Sequence, residues 1–167
     1  KPLKNGDIMN LDITVIKDGY HGDSSRMFLV GDNVASHARR LSQVTFECLW
    51  IGIDQVKPGK HFGDIGAAIQ KYAEKAGYSV VREFCGHGIG RGFHEEPQVL
   101  HYGRAGSGPE FKPGMIFTIE PMINEGSPDF FVDEDNGWTV YTIDDGLSSQ
   151  IEYMVLVTND GVEVLTK

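Results

Sequence analysis

The sequence predicts an α+β domain, on three observations: an alternating strand pair opens it, two helical stretches follow, and strand-like runs fill the rest. From Met9 to Val15, apolar Met9, Leu11, Ile13 and Val15 alternate with polar Asn10, Asp12 and Thr14, the period of a half-buried strand. Asp18-Gly19 then supplies a two-residue turn. A hairpin about that turn sets Asp12 opposite Ser25 and Thr14 opposite Asp23. Asp12 and Asp23 become diagonal neighbours about 7 to 8 Å apart at the backbone, a gap one ion can bridge.

Over residues 33–57, Ala38, Leu41, Val44 or Thr45, Cys48 or Leu49, Ile53 and Val56 recur at helical spacing, and Lys57-Pro58-Gly59 ends the run. A second helix is expected from Asp64 as N-cap, through Ile65, Ala68, Ile69, Tyr72 and Ala73, to Gly77 as C-cap. Strands are expected near 78–84, 114–123, 138–143, 149–158 and 162–166. The segments Tyr102 to Pro113 and Ser127 to Asn136 read as surface connections.

A chain of 167 residues that is 40% hydrophobic fits one globular domain, 1–167, or a large piece of one. Its formal charge of -9 argues against a surface built to neutralise nucleic-acid phosphates. Two cysteines, Cys48 and Cys85, in neighbourhoods that do not suggest a staple, point to a reducing, cytoplasmic setting and exclude a zinc ribbon. No apolar run approaches membrane-spanning length. The chain begins with Lys and enters a strand pattern at once, as a piece cut from something longer would.

The segment Cys85-Gly86-His87-Gly88-Ile89-Gly90-Arg91-Gly92-Phe93-His94-Glu95-Glu96-Pro97 sets two histidines among four glycines, too short for a helix, and reads as a loop that holds imidazoles while backbone approaches closely. Gly86, Gly88 and Gly90 do not open a helix inside a βαβ unit, which argues against a dinucleotide site. Glu120, in Thr118-Ile119-Glu120-Pro121-Met122, and Glu152, in Gln150-Ile151-Glu152, each place a carboxylate inside an apolar strand pattern. Buried acids need partners, and metals are common ones. Taken alone, Asp12 is a solvated strand position and Asp23 a turn neighbour. Together, four carboxylates and one imidazole form an oxygen-dominated ligand set suited to paired Mn, Fe, Co or Zn ions. Such pairs serve hydrolysis. Without metal, two carboxylates 4 Å apart repel by about 4 kcal/mol at an effective dielectric near 20.

The stretches NGDIMNLDITVIKDGYHGDSSRMFLVG, CGHGIGRGFHEEPQVLHY, FKPGMIFTIEPM, NGWTVYTIDDGLSSQIE and VTNDGVEVLT resemble type I methionine aminopeptidases along essentially the whole chain. The resemblance implies the pita-bread fold, an antiparallel sheet covered by helices, with the family's N-terminal part missing. It implies two divalent metal ions (Co, Mn, Fe or Zn) on Asp12, Asp23, His87, Glu120 and Glu152, with Asp23 and Glu152 bridging. Glu120 would be the base and His94 would contact the scissile amide, while Phe93 and Trp138 would line the methionine pocket. The implied substrate is a peptide or nascent-protein N-terminus with a small second residue. The ribosome and the missing N-terminal fragment are candidate partners, and neither nucleic acid nor membrane is one. The chain departs from the family after Glu152, where Tyr153-Met154 stands for the usual His-Thr. The family's earlier substrate-binding histidine has no counterpart in His21, His37, His61 or His101. The alternatives are a proline-directed peptidase of the same fold (prolidase or aminopeptidase P) and an inactive fragment or interaction module.

Overall fold

The computed structural model describes residues 2–167; Lys1, the first residue of the expected domain, lies outside the described residues. Strands β1 (Ile8–Lys17) and β2 (Tyr20–Leu29) come first, then helices α1 (Ser36–Ile53) and α2 (Phe62–Lys75). Short strands follow: β3 (Ser79–Val80), β4 (Gly86–Gly88), β5 (Glu95–Val99), β6 (Ile116–Ile119), β7 (Met122–Asn124) and β8 (Phe130–Val132). The chain closes with β9 (Val140–Thr142), β10 (Ser148–Gln150), β11 (Glu152–Val157) and β12 (Val162–Val164).

The hairpin has the register its turn demands. Asp12 pairs with Ser25 and Thr14 with Asp23. Asp18 and Gly19 have φ of 53° and 80°, the positive values a two-residue turn needs to match strand twist. The main sheet runs β1-β2-β11-β6-β4-β5, with β12 added along β11, and its pairings are antiparallel.

Alternation splits this sheet into a dry face and a polar one. Phe117, Ile119, Tyr153, Val155 and Val157 are buried in the core with the apolar sides of α1 and α2. Phe62 packs on Phe111 and Phe117 at ring separations of 4.6 and 4.8 Å. Full burial of such a side chain contributes about 1.5 to 3 kcal/mol. A Cβ at Gly52 of α1 would come within 2.8 Å of Ile69 Cδ1 on α2, so glycine permits this close helix approach. On β1, Leu11, Ile13 and Val15 stay 44 to 59% exposed, so the strand expected to be half-buried has an open apolar side.

The strand expected near 78–84 is only Ser79–Val80, α1 stops at Ile53 short of Val56, and further details differ from the sequence expectation. Asp64 is the third residue of α2, not its N-cap: His61 holds that place, and Asp64 Oδ2 accepts the His61 N–H at 2.8 Å. The run 114–123 breaks at Glu120-Pro121, where proline offers no N–H to a ladder, and 149–158 breaks at Ile151 between two sheets. The acidic connection contains a strand, β8, paired with β9. Finally, His87 lies on strand β4 and not on a loop. A Cβ at Gly86 would collide with the Thr118 carbonyl, and one at Gly88 with that of Glu96. Those glycines flank His87 so that β4 can seat between its neighbours.

Candidate metal centre

Five adjacent strands each deliver one chemically apt side chain to the polar face of the main sheet. In sheet order they are Asp12 on β1, Asp23 on β2, Glu152 on β11, Glu120 just past β6, and His87 on β4. The registers explain the convergence. Asp12 pairs with Ser25, and Ser25 with Glu152; Tyr153 pairs with Ile119, so the next step in register sets Glu120 beside Glu152. Residues directly opposite share a face, and Asp23, two residues from Ser25, shares it too.

One ligand atom from each of Asp23, His87 and Glu152 lies within 4.8 Å of the others. Glu120 Oε1 stands 3.6 Å from His87 Nε2. Asp12 lies on the exposed outer strand and stands outside the tight group, but its charge still acts on those of Glu120 and Glu152. Asp23 and Glu152 are 3% and 2% exposed, and Glu152 Oε1 has no hydrogen-bond partner. Among the described residues, no lysine or arginine forms an ion pair with any of these carboxylates.

The electrostatics follow from that lack of cations. Burial, then the charges of Glu120, Asp23 and Asp12, raise the Glu152 pKa well above the usual carboxylate value. Burial also raises Glu120, opposed by its hydrogen bond from Thr118 and reinforced by Asp12 and Asp23. Asp12 is raised by desolvation and by Asp23, and lowered by His87. Desolvation depresses His87, against a hydrogen bond to Gly88 that favours its charged form. A set of buried acids without a cation, one with an orphaned oxygen, fits a divalent metal.

Neighbours orient each donor. His87 Nδ1 sits 3.0 Å from the Gly88 carbonyl oxygen and can only donate to it, so Nε2 keeps its lone pair for the cluster. Thr14 donates to Asp23 Oδ1 at 2.7 Å. Thr118 Oγ1 accepts the His87 N–H at 3.0 Å and donates to Glu120 Oε1 at 2.8 Å. Gln150 Nε2 donates to Glu120 Oε2 at 3.2 Å, and Asn10 Nδ2 donates to the Gln150 carbonyl at 2.7 Å. Fully buried His101 accepts the Glu120 backbone N–H on Nε2 at 3.0 Å. Sequence reasoning missed Thr118, Gln150, Asn10 and His101. Thr118 carried a signal, since it lies two residues before Glu120 and so on the same strand face.

The remaining expected residues lie around this centre. The His94 ring is 4.4 Å from that of His87, and Phe93 is 4.1 Å from His94. His21 stacks on Phe93 at 5.5 Å, and its N–H donates to the Gly90 carbonyl, tying the hairpin turn to the glycine segment. A cavity of about 450 Å³ reaches from Glu120 and His87 past His94 to Glu96 and Met122. Trp138 is 86% exposed and lines an adjoining open cleft of about 930 Å³, which shares Phe84 and Met122 with that cavity and also takes in Phe130 and Gln150. Phe93 lines neither cavity and packs against His94 instead.

Residues 1–159 match the model of metallopeptidase family M24. A methionine aminopeptidase of Rickettsia prowazekii (strain Madrid E) is 57% identical over 99% of this chain and 64% of its own length. The Escherichia coli (strain K12) methionine aminopeptidase is 55% identical over 99% of this chain and 62% of its own. The crystal structure of the Rickettsia prowazekii methionine aminopeptidase superposes with a TM-score of 0.97 at 56% identity, covering all of this chain and 67% of that one. The chain thus spans a little under two thirds of the length of these relatives.

Proposed function

The chain belongs to metallopeptidase family M24 and has its α+β pita-bread fold, and from that premise we propose that residues 1–167 form a single catalytic domain that removes the initiator methionine from new polypeptides. The reaction is hydrolysis of the first peptide bond, favouring substrates with a small second residue. The observation that carries this reading is the row of Asp12, Asp23, Glu152, Glu120 and His87 across five neighbouring strands, with no lysine or arginine paired to it among the described residues.

Family membership supports a divalent metal; that there are two, drawn from Co, Mn, Fe or Zn, is part of the proposal. Asp12, Asp23, His87, Glu120 and Glu152 would hold such ions, which would supply Lewis acidity and a more acidic water for attack at neutral pH. Glu120 accepts the proton of the attacking water and passes it to the departing amine nitrogen. Thr118 and Gln150 hold its two oxygens in place. His94, beside His87 and open to the cavity, donates to the scissile amide as charge develops there. Trp138, on the cleft that adjoins the site, and Phe93, against His94, are the aromatic faces proposed for the methionine thioether.

The substrate under this reading is a peptide or nascent-protein N-terminus, met at the ribosome, in the cytoplasm. Two unpaired cysteines fit a reducing compartment, and among the described residues no helix is long and apolar enough to cross a membrane. The test is to strip the protein with chelator, restore Mn²⁺ or Co²⁺, and follow cleavage of Met-Gly-Met and of Gly-Pro. Metal-dependent methionine release that Glu120→Ala abolishes is the expected result. Preferential Gly-Pro cleavage would favour a proline-directed peptidase, and inactivity toward both would favour an interaction module or an inactive fragment.

A further inference from the structure

We propose that Thr166, wedged where β2 and β12 part along one edge of β11, is a positioning residue that fixes Asp23 for divalent-metal binding; this rests on the metal reading above. The ladder between β2 and β11 stops early. It pairs Ser25 with Glu152 and Ser24 with Tyr153, and the next pair in register would be Asp23 with Met154. Both strands continue past that point, yet the pair does not form. Along the same side of β11, β12 takes over from Val155 onward.

Met154 therefore sits at a fork, and its backbone groups are diverted. Its carbonyl accepts the Leu165 N–H at 2.9 Å. Its N–H donates to Thr166 Oγ1 at 2.9 Å, and that hydroxyl donates in turn to the Asp23 carbonyl at 2.9 Å. One hydroxyl thus replaces the direct Met154-to-Asp23 hydrogen bond, using one acceptor and its only donor. The reciprocal bond is replaced as well, since the Asp23 N–H meets Met154 Sδ at 3.0 Å. With Thr14 on Oδ1, every polar group of Asp23 but one carboxylate oxygen is accounted for by a side chain.

The consequence concerns metal affinity. A β2–β11 ladder closed by direct bonds would draw the Asp23 backbone toward β11, and with it the carboxylate that faces Glu152 and His87. The inserted hydroxyl sets that spacing. A thioether, a weak acceptor, holds the Asp23 N–H here. Partners behind a ligand typically change metal affinity by about 10- to 100-fold when removed.

Titration of the chelated protein with Co²⁺, followed by visible absorption and by calorimetry, tests this on three variants. Thr166→Val keeps the shape and removes both hydrogen bonds; it should weaken Co²⁺ binding about tenfold or more and alter the absorption band. Thr166→Ser keeps the hydroxyl and should bind within about twofold of wild type. Should Thr166→Val fail to fold, Thr166→Ala, which also removes both hydrogen bonds, should weaken binding to a similar extent. Wild-type affinity and spectrum in Thr166→Val, or in Thr166→Ala if it alone folds, would overturn the inference and leave the metal reading standing. A wild-type chain that takes up no Co²⁺ would overturn both.

Discussion

His101→Gln gives a quantitative test of how the site strand is held. His101 is 1% exposed and accepts the Glu120 N–H, and burial pushes its pKa from 6.5 down to about 3. Above pH 6.5 the imidazole is neutral in both folded and unfolded chains and contributes no pH dependence. As pH falls below that value, the unfolded chain gains a proton that the folded one refuses, so stability declines. The slope is about 1.4 kcal/mol per pH unit, and the gap of 6.5 to about 3 makes the full loss about 5 kcal/mol. Between pH 6.5 and about pH 4.5 the loss is about 3 kcal/mol. A glutamine can offer its carbonyl oxygen to the same N–H without titrating. Urea denaturation of both proteins in chelator, from about pH 7 to pH 4.5, isolates the effect, because the other titrating groups are common to both. The variant should gain about 3 kcal/mol on wild type across that range. Parallel stability curves would refute the reasoning.

Above pH 6.5, where His101 is silent, the acids dominate. Glu120 and Glu152 have folded-state pKa values raised above their unfolded ones, so the stability they give is complete below the unfolded value and lost as pH rises through the folded one. Chelated protein should therefore melt at lower temperature at pH 9 than at pH 7, and both Glu152→Gln and saturating Mn²⁺ should flatten that decline. Thr118→Val leaves the His87 N–H unpaired and frees Glu120 Oε1; it should cost about 1 to 3 kcal/mol and weaken Mn²⁺ binding about 10- to 100-fold by calorimetry, with Thr118→Ser restoring most of it. Phe117→Ala, at a site with no exposure behind the β6 ligand strand, should cost about 3 to 5 kcal/mol in urea denaturation.

Much of the site was legible because strand periodicity and one turn constrain it. The alternation from Met9 to Val15 with Asp18-Gly19 sufficed to place Asp12 against Ser25 and Thr14 against Asp23, since a two-residue turn leaves no freedom of register. Glu120 and Glu152 stood out as acids in apolar runs, and they end side by side. What escaped was the order in which distant strands neighbour one another. Nothing local says that β11 lies between β2 and β6, or that its edge is shared with β12, so the Thr166 fork had no sequence signal. His101 was set aside for the same reason: its role depends on reaching a backbone N–H at Glu120, a contact between main chain and side chain that no residue pattern encodes. The glycines around His87 do permit the close backbone approach that the sequence implies. What the pattern did not show is that the approach seats His87 on a strand, β4, and not on a loop.

The most direct measurement is anomalous diffraction from crystals of the chain grown with Mn²⁺. The expected result is anomalous density for two ions on the polar face of the sheet, within about 2.0 to 2.3 Å of His87 Nε2 and of carboxylate oxygens of Asp12, Asp23, Glu152 and Glu120. Carboxylates left bare at saturating Mn²⁺, or an ion bound only elsewhere, would contradict it.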